Sequence, residues 1–137
     1  MADVLSWDEL QGIVSEYDTV FVMAYLPDSP PSARGLKIFD EYSRKVLDAR
    51  FLTFDSTTPS GLKMVKKLQI KFAPMTFAFK NGVQTGTYTG EVRQKIHDII
   101  ESIASIQEDD DLQQLQQQQQ TPAWTQPEEL SRPPLIW

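Results

Sequence analysis

The side chains that most often carry enzyme chemistry are scarce in this sequence. Its 137 residues include no cysteine and one histidine, His97. That excludes disulfides, thiolate nucleophiles, Cys-ligated zinc and iron–sulfur clusters within these residues. A lone histidine cannot form a multi-histidine metal site. Carboxylate-only binding of a hard cation would need a ligand loop, and the sequence shows none. No metal and no cofactor is expected. The net charge is −6 and unevenly placed. Residues 1–106 hold twelve Lys and Arg against thirteen Asp and Glu, and residues 107–137 hold one against six. Neither part carries the basic field that nucleic-acid binding requires. Lys63, Lys66, Lys67 and Lys71 form a local basic cluster, read as a solvated helix face, or as a hold for an acidic partner or for this chain's own Glu108 to Asp111.

The surrounding pattern alternates helix and strand signals. Ser6-Trp7-Asp8-Glu9 has capping-box spacing, with Ser6 as N-cap and Glu9 reaching back. Leu10, Ile13 and Val14 then share one helix face. Val20 to Tyr25 is wholly apolar, as a central buried strand should be. A loop with three prolines, Leu26 to Pro31, precedes a helix over which Leu36, Phe39, Val46 and Leu47 recur near helical spacing. Phe51 to Phe54 reads as a second buried strand closed by Asp55, and Ser56 to Ser60 opens the basic helix through Leu68. Asn81-Gly82 between two strand-like runs is a hairpin signal, because both turn positions need positive φ. Val92, Ile96, Ile99, Ile100 and Ile103 form the stripe of a last helix. The order is α-β-α-β-α-β-β-α, with a short first strand expected at Val4-Leu5. It predicts an α/β fold with a central mixed sheet of four to five strands and helices on both faces.

Composition breaks near Gln107. Glu108-Asp109-Asp110-Asp111 is followed by a glutamine-rich stretch and four prolines. Such a segment buries too little apolar surface to offset its ordering entropy. Residues 1–106 are therefore expected to form the domain, and 107–137 a disordered tail. Trp124 and the terminal Leu135-Ile136-Trp137 are its candidate docking residues. No run of eighteen apolar residues and no leader-like start are present, so the expected setting is away from membranes, in the cytoplasm or the nucleus.

The element order resembles thioredoxin over roughly residues 3–106. Phe79-Lys80-Asn81-Gly82 stands as in many thioredoxins, Pro74 lies eight residues before Gly82, and Gly90 eight after it. These spacings match the cis-proline, the hairpin turn and the following glycine of that family. The resemblance places the redox tetrapeptide on Ser29-Pro30-Pro31-Ser32, with both cysteine positions serine and Asp28 where the usual tryptophan stands. The family's buried aspartate and its lysine partner fall on Met23 and Phe51. A buried charge is costly without a function that needs it. The joint loss of nucleophile, resolving thiol and proton-shuttle pair fits a domain retired from redox chemistry.

A serine hydroxyl needs a neighbouring base before it attacks anything, and no spacing brings His97 to Ser29. Ser29 reads instead as a helix N-cap, with Pro31 suited to the first helical turn. What the resemblance leaves is a peptide groove lined by Tyr25, Asp28, Ser29, Pro31, Ala73, Pro74 and Gly90. There Ala73 would offer its backbone to an extended partner chain. The implied function is a non-catalytic adaptor that binds a protein or an extended peptide, without thiol–disulfide oxidoreductase activity. Two further readings stand beside it. One is a glutathione-binding protein or enzyme that uses Ser29 at the helix N-terminus, as several glutathione transferases of this fold do. The other is an intramolecular contact in which Leu135-Ile136-Trp137 folds back on the groove.

Overall fold

A strand with no polar face must be covered on both sides, so it belongs in the middle of a sheet with helices above and below. The structure, a computed structural model that describes residues 1–106, places the apolar run around Phe21 there. β2 (Thr19–Tyr25) is buried from Thr19 to Ala24. The other strands are β1 (Ala2–Asp3), β3 (Arg50–Asp55), β4 (Met75–Lys80) and β5 (Val83–Thr89). They lie in the order β1-β3-β2-β4-β5. β3 runs parallel to both β1 and β2, β4 antiparallel to β2, and β5 antiparallel to β4. The helices are α1 (Trp7–Glu16), α2 (Pro30–Ser43), α3 (Pro59–Leu68) and α4 (Arg93–Glu101).

Side chains along β2 alternate between two apolar layers. Val20, Val22 and Ala24 pack with Leu10 and Val14 of α1 and Met64 of α3. Phe21 and Met23 pack with Phe39 of α2 and with Ile96 and Ile100 of α4. Polar contacts join α2 to α4 across the second layer. Arg93 reaches Glu41 at 2.7 Å, and the Tyr42 hydroxyl meets His97 Nδ1 at 3.0 Å. The hydrogen bond from Arg93 holds the Glu41 carboxyl below the usual carboxylate range, and the same bond raises the Arg93 guanidinium.

Local chemistry fixes the element ends. Ser6 caps α1 by accepting from Glu9 N–H at 3.1 Å. The Glu9 carboxylate reaches back one residue further than the capping-box spacing implied, to Leu5 N–H at 2.7 Å. The first strand lies at Ala2–Asp3, before the expected Val4-Leu5. There Ala2 and Asp3 pair with Leu52 and Thr53, Val4 is already buried, and Leu5 turns out to solvent. α2 ends at Ser43, so Val46 and Leu47 are not helical. Val46 is buried by a turn whose N–H donates to the Tyr42 carbonyl, while Leu47 is exposed. Val92 is the N-cap of α4 and is exposed rather than part of its apolar stripe. Asn81 and Gly82 adopt φ 53° and 82°, as the hairpin requires. Residues Trp124, Leu135, Ile136 and Trp137 lie outside the described residues.

Gly61 sits where α3 meets the end of β3. A Cβ there would stand 1.9 Å from the Asp55 carbonyl oxygen, a backbone atom with no room to yield. Gly61→Ala is expected to lower unfolding stability by roughly 1–3 kcal/mol or more, through overpacking. Gly12→Ala in mid-α1, where nothing lies within 4 Å, is expected to raise it by up to about 1 kcal/mol. Urea titrations of the two variants with unchanged slope check the pair.

Candidate functional site

β2 ends at Tyr25, and the chain leaves the sheet through a tight loop into α2. Asp28 takes φ 65°, a conformation an aspartate tolerates better than most residues. Ser29 is the N-cap of α2, its hydroxyl accepting from Ser32 N–H at 3.4 Å. Pro30 and Pro31 follow at the start of the helix, where a backbone N–H has no intrahelical use. Ser32 is 1% exposed, and its hydroxyl accepts from Leu26 N–H at 3.0 Å. The two serines thus close the loop upon itself. The Tyr25 carbonyl accepts from both the N–H and the hydroxyl of Ser56, at 2.9 and 2.7 Å. Partial burial and the charges of Asp3 and Asp55 push the Tyr25 phenol up, so it stays protonated at neutral pH.

The facing wall is the segment before β4. The Ala73–Pro74 peptide is cis, and the Pro74 carbonyl accepts from Gly90 N–H at 2.9 Å. Pro74 is buried under α2. A Cβ on Gly35 would stand 3.0 Å from Pro74 Cγ and 3.5 Å from Met23 Sδ, so the helix rests directly on the proline. Gly90 has φ 136°, and a Cβ there would meet the Tyr88 hydroxyl at 2.6 Å. Ala73 is half-buried. Among the described residues, no hydrogen bond uses its N–H or its carbonyl.

The sequence-derived residues therefore fall into three places. Tyr25, Asp28 and Ser29 line one depression of about 320 Å³, together with Leu26 and Leu36. Ala73 lines another of about 320 Å³, with Leu26, Val65, Ile70 and Phe72. Ser32 and Pro74 are buried behind them, Pro31 is half-buried in the first turn of α2, and Gly90 is tied to Pro74. Leu26 is shared by both depressions and is 40% exposed, and Phe72 is 72% exposed. Neither was singled out by the sequence. The available signal was an aromatic between Lys71 and Ala73 with no place in any helix or strand pattern.

Chemically the site is quiet. Met23 and Phe51 are both buried in the layer between the sheet and α2 and α4, where the Phe51 ring lies 5.0 Å from those of Phe21 and Phe39. Thr76 pairs with Met23 in the β2–β4 register, and its buried hydroxyl has no partner among the described residues. His97 bonds Tyr42 and lies 3.5 Å from Glu101, with no link to Ser29. Among the described residues no three potential metal-ligating carboxylate or imidazole groups gather together. With no thiol in the 137 residues, the positions of the redox tetrapeptide cannot form or exchange a disulfide.

No protein-family model matches the sequence, and no curated protein matches it. Solved structures do. A thioredoxin of Plasmodium falciparum superposes with a TM-score of 0.71 at 23% identity, over 76% of this chain and 100% of that one. A thioredoxin of Malassezia sympodialis gives 0.68 at 17%, over 74% and 89%. Thioredoxin O2 of Arabidopsis thaliana gives 0.68 at 17%, over 76% and 94%. The fold is thioredoxin-like, and the chain lacks every cysteine.

Two substitutions separate structural hydroxyls from surplus ones. Ser32→Ala leaves Leu26 N–H without its acceptor and is expected to cost about 1 kcal/mol. Thr76→Val keeps the shape and removes an unpaired buried hydroxyl, and is expected to gain about 1 kcal/mol. Chemical denaturation reads both, and a Thr76→Val variant less stable than the parent would show that the hydroxyl has a partner.

Proposed function

We propose that this cysteine-free thioredoxin-like domain is a protein-interaction module that takes an extended peptide across Ala73. The observation that carries the reading is the Ala73 backbone. A half-buried N–H and carbonyl with no partner, at the end of a sheet, are an invitation to a further strand. Leu26 and Phe72 support it, since exposed apolar side chains beside free main-chain groups supply the pockets that an added strand needs. The rigidity of the wall supports it as well. Gly35, Pro74 and Gly90 hold Ala73 from behind, so little ordering entropy would be lost on binding.

The serines act in this reading as architecture. Ser29 and Ser32 accept hydrogen bonds that close the loop and the helix start, and among the described residues neither hydroxyl is hydrogen-bonded to a carboxylate or imidazole. The domain reduces no disulfide by itself, because the step requires a thiolate that these residues cannot provide.

Panning a random heptapeptide library on the full chain supplies a probe. Peptide binding is expected to shift the Ala73 amide resonance, and methylating one peptide nitrogen in the probe is expected to weaken binding about tenfold by removing a main-chain hydrogen bond. Phe72→Ala is expected to weaken the same probe by about fivefold while leaving thermal stability unchanged, since Phe72 is 72% exposed. Probes that ignore both changes, and bind with the Ala73 amide unmoved, would remove the groove from the proposal. Insulin-reduction turbidity is expected to stay at the buffer baseline.

A further inference from the structure

Charge in the described domain is segregated along the chain. From Ser56 to Gly90 there are five lysines, Lys63, Lys66, Lys67, Lys71 and Lys80, and not one acidic residue. These 35 residues supply α3, the wall at Ala73, and the β4–β5 hairpin. Among the described residues, no ion pair within 4.0 Å engages any of the α3 lysines or Lys71, whereas Arg34, Arg44 and Arg93 are each paired. Asp8 shares a depression with Lys63 and Lys67. Lys67 also lies over the Trp7 ring at 5.3 Å. Lys71 lines the depression beside Ala73, and the exposed Lys66 follows Val65, which lines the same depression.

The way α3 ends brings that charge to the apolar depression. Gln69 takes φ 58°, and Ile70 N–H donates back to the Val65 carbonyl at 2.9 Å. This is a Schellman ending, which folds the residue after the turn onto the last helical turn. Ile70 and Val65 thus line the depression together with Lys71, Phe72 and Leu26. Leu62, 51% exposed, lies four residues before Lys66 on the same helical stripe. Exposed Leu62 and Lys66 thus share one stripe of α3, and Lys71 stands at the depression itself.

We infer that the peptide taken at Ala73 is acidic and carries a bulky apolar residue. The apolar side chain enters the depression between Leu26, Val65, Ile70 and Phe72, and flanking carboxylates pair with Lys71 and Lys66. The occupant is a segment of a partner protein. This inference rests on the reading of Ala73 as the strand-accepting edge and names the chemistry of what that edge accepts. A neutral apolar peptide would gain the pocket and the main-chain bonds but leave the lysines unused. A basic one would meet like charge, which disfavours encounter and complex alike.

The test uses the full chain and two labelled probes with the same central Leu-Phe pair, one flanked by aspartates and the other by the isosteric asparagines. In anisotropy titrations at about 0.05 M salt the acidic probe is expected to bind about tenfold more tightly, and the gap is expected to shrink to about threefold or less near 0.5 M as screening sets in. K66E/K71E is expected to reverse the preference, the acidic probe now binding more weakly than the asparagine probe, whose affinity stays within about twofold of its parent value. Both lysines are exposed, so folding is not at stake. Equal binding of the two probes, with no effect of the lysine variant, would overturn the acidic assignment and leave the groove reading standing. Binding of neither would overturn both. Replacing Asp109, Asp110 and Asp111 by asparagine is expected to leave the acidic probe's affinity unchanged. A gain of fivefold or more would hand the face to the chain's own acidic run and overturn the assignment to a partner. Self-association lost in K66E/K71E would hand it to a second copy.

Discussion

The close approach of α2 to Pro74, made at Gly35, sets the rest of the candidate site. With a hydrogen in place of a side chain, the helix can rest on the proline ring and on Met23 at once. That contact brings the start of α2 beside the segment before β4. The loop closed by Ser29 and Ser32 and the wall at Ala73 are therefore held by one packing event rather than by two mobile ends. Any larger residue at position 35 would have to lift the helix, the proline, or both. The same contact hides Pro74 and leaves Ala73, the residue before it, at the surface with its backbone unused.

Beneath this contact the core is almost wholly apolar. Met23 and Phe51 take the two positions where thioredoxins, by the resemblance above, keep a carboxylate and a lysine. An ion pair in that layer would require desolvation of both partners, a penalty that is offset only when the charges have work to do. Here Phe51 packs against Phe21 and Phe39 instead, tilted to one ring and edge-on to the other. Two threonines flank Met23 in the register, Thr53 and Thr76, and among the described residues the Thr76 hydroxyl is the one left without a partner. The surface kept what the core gave up. Among the described residues, lysines without a nearby ion pair stand on α3 and beside Ala73, where Leu26 and Phe72 are also exposed. An exposed patch that is both apolar and cationic can recognise a partner without reacting with it.

Much of the architecture could be read along the chain because its signals are local. Ser6, Ser29 and the Asn81-Gly82 pair act within three residues of themselves, through caps and positive φ, and each marks an element end that the fold keeps. The misjudged positions are those where periodicity continued past the element. Val46 and Leu47 repeat at helical spacing after α2 has ended, and the turn that buries Val46 leaves Leu47 in solvent. Val92 fits the stripe of α4 by count, yet it caps the helix and points out. Hydrophobic spacing records which residues are apolar, not which of them the neighbouring elements reach.

The sequence by itself determined the chemistry and the order of elements. Zero cysteines forbid disulfide exchange whatever the fold, and an apolar strand between helical stripes requires a covered central sheet. Tertiary structure alone decided which residues share a surface. Leu26 follows β2, Val65 and Ile70 border the end of α3, and Phe72 precedes β4, yet all four line one depression. Their meeting depends on the β1-β3-β2-β4-β5 strand order and on the turn at Gln69. Contacts between residues far apart in sequence leave no local pattern, because each side chain's propensity is set by its own helix or loop rather than by the neighbour it will meet.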